Sequence, residues 1–293
     1  MSRRSASTYG DEKVDLERFF VYFVSRIGIV YNPNHNKQKF YQGHKYKITC
    51  QASHPSRLII ATGESAPSPS IHIWNILTLE PLKIVKTDHK NGILTMSFSH
   101  DGVLLASCGF DKFFSIQVTN WKTNEILGFR NSDSAPILEL GFHSFDRYEF
   151  TSIGYNNVAV WKIDGKSLLR KDWIFINSPN LEGVMPYITC FSYINYQIGK
   201  NYQSDIIVGD NFGTVGLVSG GKYYPLKKEA HAAMINCIKV SDALGDKNVI
   251  ITAGEDEFLK IWNINMELVH EVNLREQQVF SHGTSLQKNL SIQ

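Results

Sequence analysis

The sequence predicts an all-β fold, a β-propeller of five full blades plus a partial N-terminal one. Three observations carry this expectation. An apolar run ending in small residues and a glycine recurs along the chain, its copies are spaced by roughly 44 residues, and helix-type periodicity is nearly absent. The run stands at residues 58–63 (LIIATG), 103–109 (VLLASCG) and 249–254 (VIITAG), with weaker copies at 150–154 (FTSIG) and 205–209 (DIIVG). A turn and another short strand follow each copy, at 71–74 (IHIW), 114–117 (FSIQ), 158–161 (VAVW), 215–217 (VGL) and 259–262 (LKIW). The ends of these third strands, Trp74, Gln117, Trp161, Leu217 and Trp262, set the period, with one longer step between Trp161 and Leu217.

An opening strand precedes each run, at 48–50 (ITC), 93–96 (ILTM), 137–140 (ILEL), 188–191 (ITCF) and 235–238 (INCI). An outer strand closes each unit, most clearly at 37–41 and 267–272. Stepping back one period from Trp74 lands on Val30, so a sixth, partial unit begins near Phe19. A four-stranded sheet cannot bury both its faces alone, so neighbouring blades must stack around an axis. The chain thus divides into a basic tail at 1–18, expected to be disordered, a propeller at 19–275 and a C-terminal tail at 276–293. About twenty-three strands fall short of seven full blades, so the ring is expected to be incomplete.

Composition narrows the function. The 293 residues are 43% hydrophobic and 20% charged, the balance of a soluble globular core. A net charge of +2 argues against nucleic acid as partner. No apolar stretch near the start approaches the roughly 20 residues of a membrane helix, and no signal-type apolar region follows the first basic residues. Four cysteines without a Cys-x-x-Cys pair fit a reduced, cytosolic protein without structural zinc. Cys50, Cys190 and Cys237 recur at one place in their opening strands, which reads as a small core residue rather than a metal cluster, and Cys108 reads the same way.

Catalytic patterns are missing. There is no His-Glu-x-x-His and no Gly-x-Ser-x-Gly, and Gly165-Lys166-Ser167 fails as a phosphate loop because Val160 stands where a glycine is needed. No enzyme activity, cofactor or metal is expected. The Pro-rich insertion 64–70 reads as an exposed loop. The segment from Trp173 to Pro186 lengthens one interval and makes Trp173 a candidate partner contact. Arg3 and Arg4 are candidate contacts for an acidic partner such as a tubulin tail, set against the plainer reading of a solvated tail.

Repeat ends such as Gly43-His44, Ala230-His231, Trp74-Asn75 and Trp262-Asn263 resemble the GH…WD pattern of the WD-repeat family. That resemblance implies a structural network of His231, Thr252, Asp256 and Trp262, in which an aspartate in the turn between second and third strands holds the histidine before the first. His89, Ser107 and Asp111 match it in another unit, with Gln117 in place of the tryptophan. Asn156 and Asn211 replace the aspartate elsewhere. More narrowly, residues 40–44 (FYQGH), 71–79 (IHIWNILTL) and 165–171 (GKSLLRK), in this order and spacing, resemble the first propeller of the echinoderm microtubule-associated protein-like family. This resemblance implies a protein-binding scaffold of the cytoplasm and cytoskeleton. Its partners would be tubulin, microtubules or axonemal proteins of the cilium, with neither nucleic acid nor membrane involved. A general adaptor unrelated to microtubules is the other function the propeller supports.

Overall fold

A computed structural model describes residues 19–132, 136–155, 157–175, 186–198, 201–241 and 249–279. It is a six-bladed β-propeller built of antiparallel sheets. Blade 1 comprises β1 (Phe20–Val24), β2 (Ile27–Asn32) and β3 (Lys37–Tyr41). Blade 2 comprises β4 (Ile48–Ser53), β5 (Ile59–Glu64), β6 (Ser70–Asn75) and β7 (Pro81–Lys86). Blade 3 comprises β8 (Ile93–Phe98), β9 (Leu104–Gly109), β10 (Ile116–Asn120) and β11 (Glu125–Arg130). Blade 4 comprises β12 (Ile137–Phe142), β13 (Glu149–Gly154), β14 (Asn157–Asp164) and β15 (Ser167–Phe175). Blade 5 comprises β16 (Ile188–Ile198), β17 (Asn201–Asp210), β18 (Val215–Ser219) and β19 (Lys222–Lys227). Blade 6 comprises β20 (Ile235–Ser241), β21 (Val249–Gly254), β22 (Phe258–Asn263) and β23 (Leu268–Asn273). The N-terminal unit, expected as a fragment, is a blade that lacks one strand beside β1 among the described residues. A short helix, α1 (Leu274–Val279), follows the last blade, where the sequence showed no helix signal.

The inner strands contact one another in sequence, β4 to β8, β8 to β12, β12 to β16 and β16 to β20, and β1 reaches β4. Burial explains the sequence pattern. The residues of β5, β9 and β13 are nearly all buried, so these strands read as continuous apolar runs. The outer strands β3 and β7 are mostly exposed and tolerate Lys and Gln. The core lies between blades: Ile71, Ile73 and Val85 of blade 2 pack with Ile93, Met96, Phe98 and Leu105 of blade 3.

Every first strand carries a register shift at one place, Ile48/Cys50, Ile93/Thr95, Ile137/Glu139, Ile188/Cys190 and Ile235/Cys237. Such a bulge leaves one residue unpaired and adds local twist. In blades 2 and 5 the unpaired residue is a threonine that ties the blade to the next. Thr49 Oγ1 donates to Ile93 O, and Thr189 Oγ1 donates to Ile235 O.

The two end blades depart from this burial. In blade 1, Phe20 is 60% exposed, Val24 57% and Phe40 47%. In blade 6, Ile251, Leu259 and Ile261 are only half-buried, whereas Ala61, Ile71 and Ile73 of blade 2 are fully buried. Among the described residues, blades 6 and 1 share no strand contact comparable with those between consecutive blades. Cys50 and Cys190 sit between blades, each with its sulfur against the carbonyl of the following inner strand. Cys237, expected in the core, is exposed instead, because its blade has no described follower.

Candidate functional site

The turns before the first strands and those between second and third strands meet on one face of the propeller, and buried histidines hold them together. In blade 6, His231 Nδ1 donates to Asp256 Oδ1 at 2.8 Å, and Thr252 Oγ1 lies 2.7 Å from His231 Nε2. The carboxylate fixes the tautomer, so Nε2 accepts the threonine proton. Trp262 Nε1 then donates to Thr252 Oγ1 at 2.9 Å. Burial pushes the Asp256 carboxyl up, but bonds from His231, Ala232 N and Phe258 N outweigh it and hold it below the usual range.

Blade 3 builds the same link with one more member. His89 Nε2 faces Ser107 Oγ at 2.9 Å, and His89 Nδ1 donates to Ser115 Oγ at 2.8 Å. Ser115 in turn donates to Asp111. The aspartate therefore reaches the ring through a serine relay. Pairing also moves the missing tryptophan. Trp74 lies opposite Ile60 and Thr119 opposite Leu105, so Thr119, not Gln117, holds that place. Gln117 accepts from Asp88 N and donates to Thr119 Oγ1.

Blade 2 holds a network that sequence reasoning found only in part. His44 Nδ1 donates to Glu64 Oε2 at 3.0 Å, and Thr62 Oγ1 lies 2.7 Å from His44 Nε2. Trp74 Nε1 donates to Thr62 Oγ1, and Ser70 to Glu64 Oε1. Glu64 thus does here what an aspartate in the following turn does in blade 6, one methylene longer and two positions earlier. A second histidine, His72, stacks on His44 with ring centroids 3.8 Å apart and accepts from Tyr41 Oη at 2.9 Å. Burial, reinforced by the neighbouring His44, lowers the His72 pKa to about 4. Burial lowers His44 as well, against the pull of Glu64. His44, Glu64 and His72 each bring a metal-capable atom within 4.8 Å of the others. Both His44 nitrogens are taken by protein partners, and the stacked rings direct their in-plane lone pairs side by side rather than toward one point, so the set fits a hydrogen-bonded network better than a metal centre.

The axis carries a second polar feature. The far ends of the inner strands line a cavity of about 430 Å³ that includes Phe98, Glu139, Tyr193 and Lys239. Burial raises the Glu139 carboxyl, partly offset by Lys239, whose Nζ lies 3.7 Å away. Glu139 also accepts from Phe191 N, which makes it a strut between blades 4 and 5.

The remaining candidates scatter. Trp173 is paired with Ala159 within β15 rather than in a loop, and its side chain lies outside those described. Residues 176–185, Asn156, Arg3 and Arg4 also lie outside the described residues. Asn211 accepts from Tyr187 N. The segment 64–70, expected as an exposed loop, instead begins in β5 with buried Glu64 and ends in β6 with Ser70, and the pairing of β4 with β5, Ile48 opposite Glu64, is what sets Glu64 beside His44.

The family model described as "Echinoderm microtubule-associated protein first beta-propeller" matches residues 37–291. Echinoderm microtubule-associated protein-like 1 of Rattus norvegicus is 25% identical over 268 residues, 88% of this chain and 31% of the relative. Echinoderm microtubule-associated protein-like 2 of Mus musculus is 24% identical over 87% of this chain and 39% of its own length. The 77 kDa echinoderm microtubule-associated protein of Strongylocentrotus purpuratus is 23% identical over 84% and 36%. The chain therefore spans about a third of the relatives it matches. Among solved structures, that of U3-55K superposes with a TM-score of 0.64 at 18% identity, over 85% of this chain and 76% of that one, a likeness of fold alone. With the family's first propeller matched over most of the chain, this protein belongs to the echinoderm microtubule-associated protein family.

Proposed function

We propose that the chain is a non-enzymatic scaffold that binds protein partners and associates with microtubules, acting in the cytoplasm as part of the cytoskeleton and, by extension, in the ciliary axoneme. The observation that carries this reading is the family match over residues 37–291. The structure supports it in kind: buried histidine networks fix exposed loops on one face, a rigid platform for recognition. The buried histidines of this face and the carboxylates of Glu64, Asp111 and Asp256 are engaged in structural bonds, which favours binding over catalysis. Tubulin or an axonemal protein is the partner proposed, with no cofactor, nucleic acid or membrane. The histidine networks serve to hold the face, and residues 19–275 form the binding unit.

Co-pelleting of the purified chain with taxol-stabilised microtubules, across a salt series, tests the proposal. Saturable, salt-sensitive pelleting is expected. A folded, monodisperse chain that stays in the supernatant at all salt concentrations overturns it.

A further inference from the structure

We propose that the loop band spanning blades 2 and 3 is a docking surface for an acidic, glutamate-rich peptide segment. The inference deepens the scaffold reading and rests on it, naming the face and the chemistry of the partner.

Four lysines stand on this band. Lys45 and Lys47 precede β4, Lys90 precedes β8, and Lys112 lies in the turn between β9 and β10; all are exposed. None makes an ion pair among the described residues, whereas Lys166, Lys171, Lys239, Arg147 and Arg275 all do. The backbone beneath them is a stitched unit. Ser65 N donates to Lys47 O, Ser65 Oγ to Asn91 O, and Phe110 N to Gly92 O. His44 and His89 anchor the same loops from below. The cations are thus presented on a fixed base, which lowers the ordering cost of binding.

The acids nearby do not neutralise the band. Glu64 is spent on His44 and Ser70. Asp111 is spent on Ser115 and on the backbone N–H of Phe113. Asp88 is the exposed carboxylate that remains. The matching turns of blade 6 carry exposed Lys228, Glu229 and Glu255, with Glu257 paired to Arg275. An acidic chain is therefore drawn to the lysine band of blades 2 and 3 rather than to blade 6, which sets where it lies.

Every cation on the band is a lysine, a point charge that pairs with single carboxylates without a planar fork, and the oligouridylate arm of the test below separates a peptide from a nucleic acid. Tyr46 and Phe110, 49% and 58% exposed, offer apolar surface for the methylenes of glutamate side chains among the ammonium groups.

The test is fluorescence anisotropy with the full chain and a labelled oligoglutamate peptide at low salt, beside oligoglutamine and an oligouridylate of equal length. Saturable binding of oligoglutamate alone is expected. The variant K45E/K47E/K90E/K112E should weaken it roughly ten-fold or more, and the Lys→Gln version of the same set by less. A variant with the same charge change at Lys122, Lys162, Lys166 and Lys222, exposed at or beside the turns between third and fourth strands, should leave it unchanged. Circular dichroism checks that each variant keeps its fold. Absence of oligoglutamate binding, equal loss in both charge-reversed variants, or tighter binding of oligouridylate overturns the surface. Microtubule pelleting run in parallel separates the two ideas. Pelleting of the wild-type chain without peptide binding overturns the surface and leaves the scaffold reading. Peptide binding without pelleting overturns the microtubule reading instead.

Discussion

His231 shows why the position before a first strand asks for histidine: one ring nitrogen must donate to a carboxylate while the other accepts from a hydroxyl. Thr252 is the hub, since its oxygen meets both His231 and the Trp262 indole. Thr252→Val should leave both unpaired and cost about 1–3 kcal/mol, read as a fall of several degrees in the thermal midpoint, while Thr252→Ser restores most of it. The buried histidines also predict a pH dependence. His72 and His89 are both lowered to about 4, in each case first by burial. Their folded-state pKa lies below the unfolded value of about 6.5, so the unfolded chain binds protons first as pH falls. Stability should therefore be constant above that value and decline between it and pH 4, and His89→Gln should flatten part of the decline in urea titrations. The cysteines differ in the same physical terms. Burial pushes the Cys50 and Cys190 thiols up to about 12, and Cys108 higher still, while Cys237 is exposed. One thiol should react rapidly with a disulfide reagent in the native protein and the other three only on unfolding.

At the scale of the strand, the tightest joints are glycines. A Cβ on Gly63 would meet Ile93 Cβ at 2.7 Å, and one on Gly209 would meet Ile235 Cβ at 2.9 Å. Both are contacts from one blade's second strand to the next blade's first. Gly209→Ala should cost about 1–3 kcal/mol by overpacking, measured as a lower urea midpoint with an unchanged slope. These glycines mark how far the sequence could be read. The apolar runs ending in Gly63, Gly209 and Gly254 located the second strands, and the histidines at 44, 89 and 231 located the turns before the first. The bulges were not legible, because a residue skipped in pairing leaves no trace in period or composition. Spacing puts the place of the missing tryptophan wrongly at Gln117 for another reason: β9 and β10 pair without a shift, but the turn between them is longer than that between β21 and β22, which moves the place to Thr119. The candidate site was legible as single histidines, but Glu64, His72, Ser115 and Tyr41 meet them only through strand pairing or a local turn. Residues with no shared register carry no pattern to find.

For the whole molecule, the unequal burial of the blades has a measurable outcome. Hydrogen exchange should be slowest in β9 and β13 and fastest in β1 and β23, whose side chains are largely exposed. Uniform protection across all six blades would contradict that gradient. The threonine ties and the inter-blade cores join each blade to its immediate neighbours, across a single repeat of chain. Stability in such a stack is a sum of blade terms and nearest-neighbour terms. Mechanically, a pull on either terminus should peel an end blade and stop at the next joint, each step releasing one repeat's length of chain. The inner blades, with their histidine-held loops, would stay assembled under a load that has already unravelled the ends.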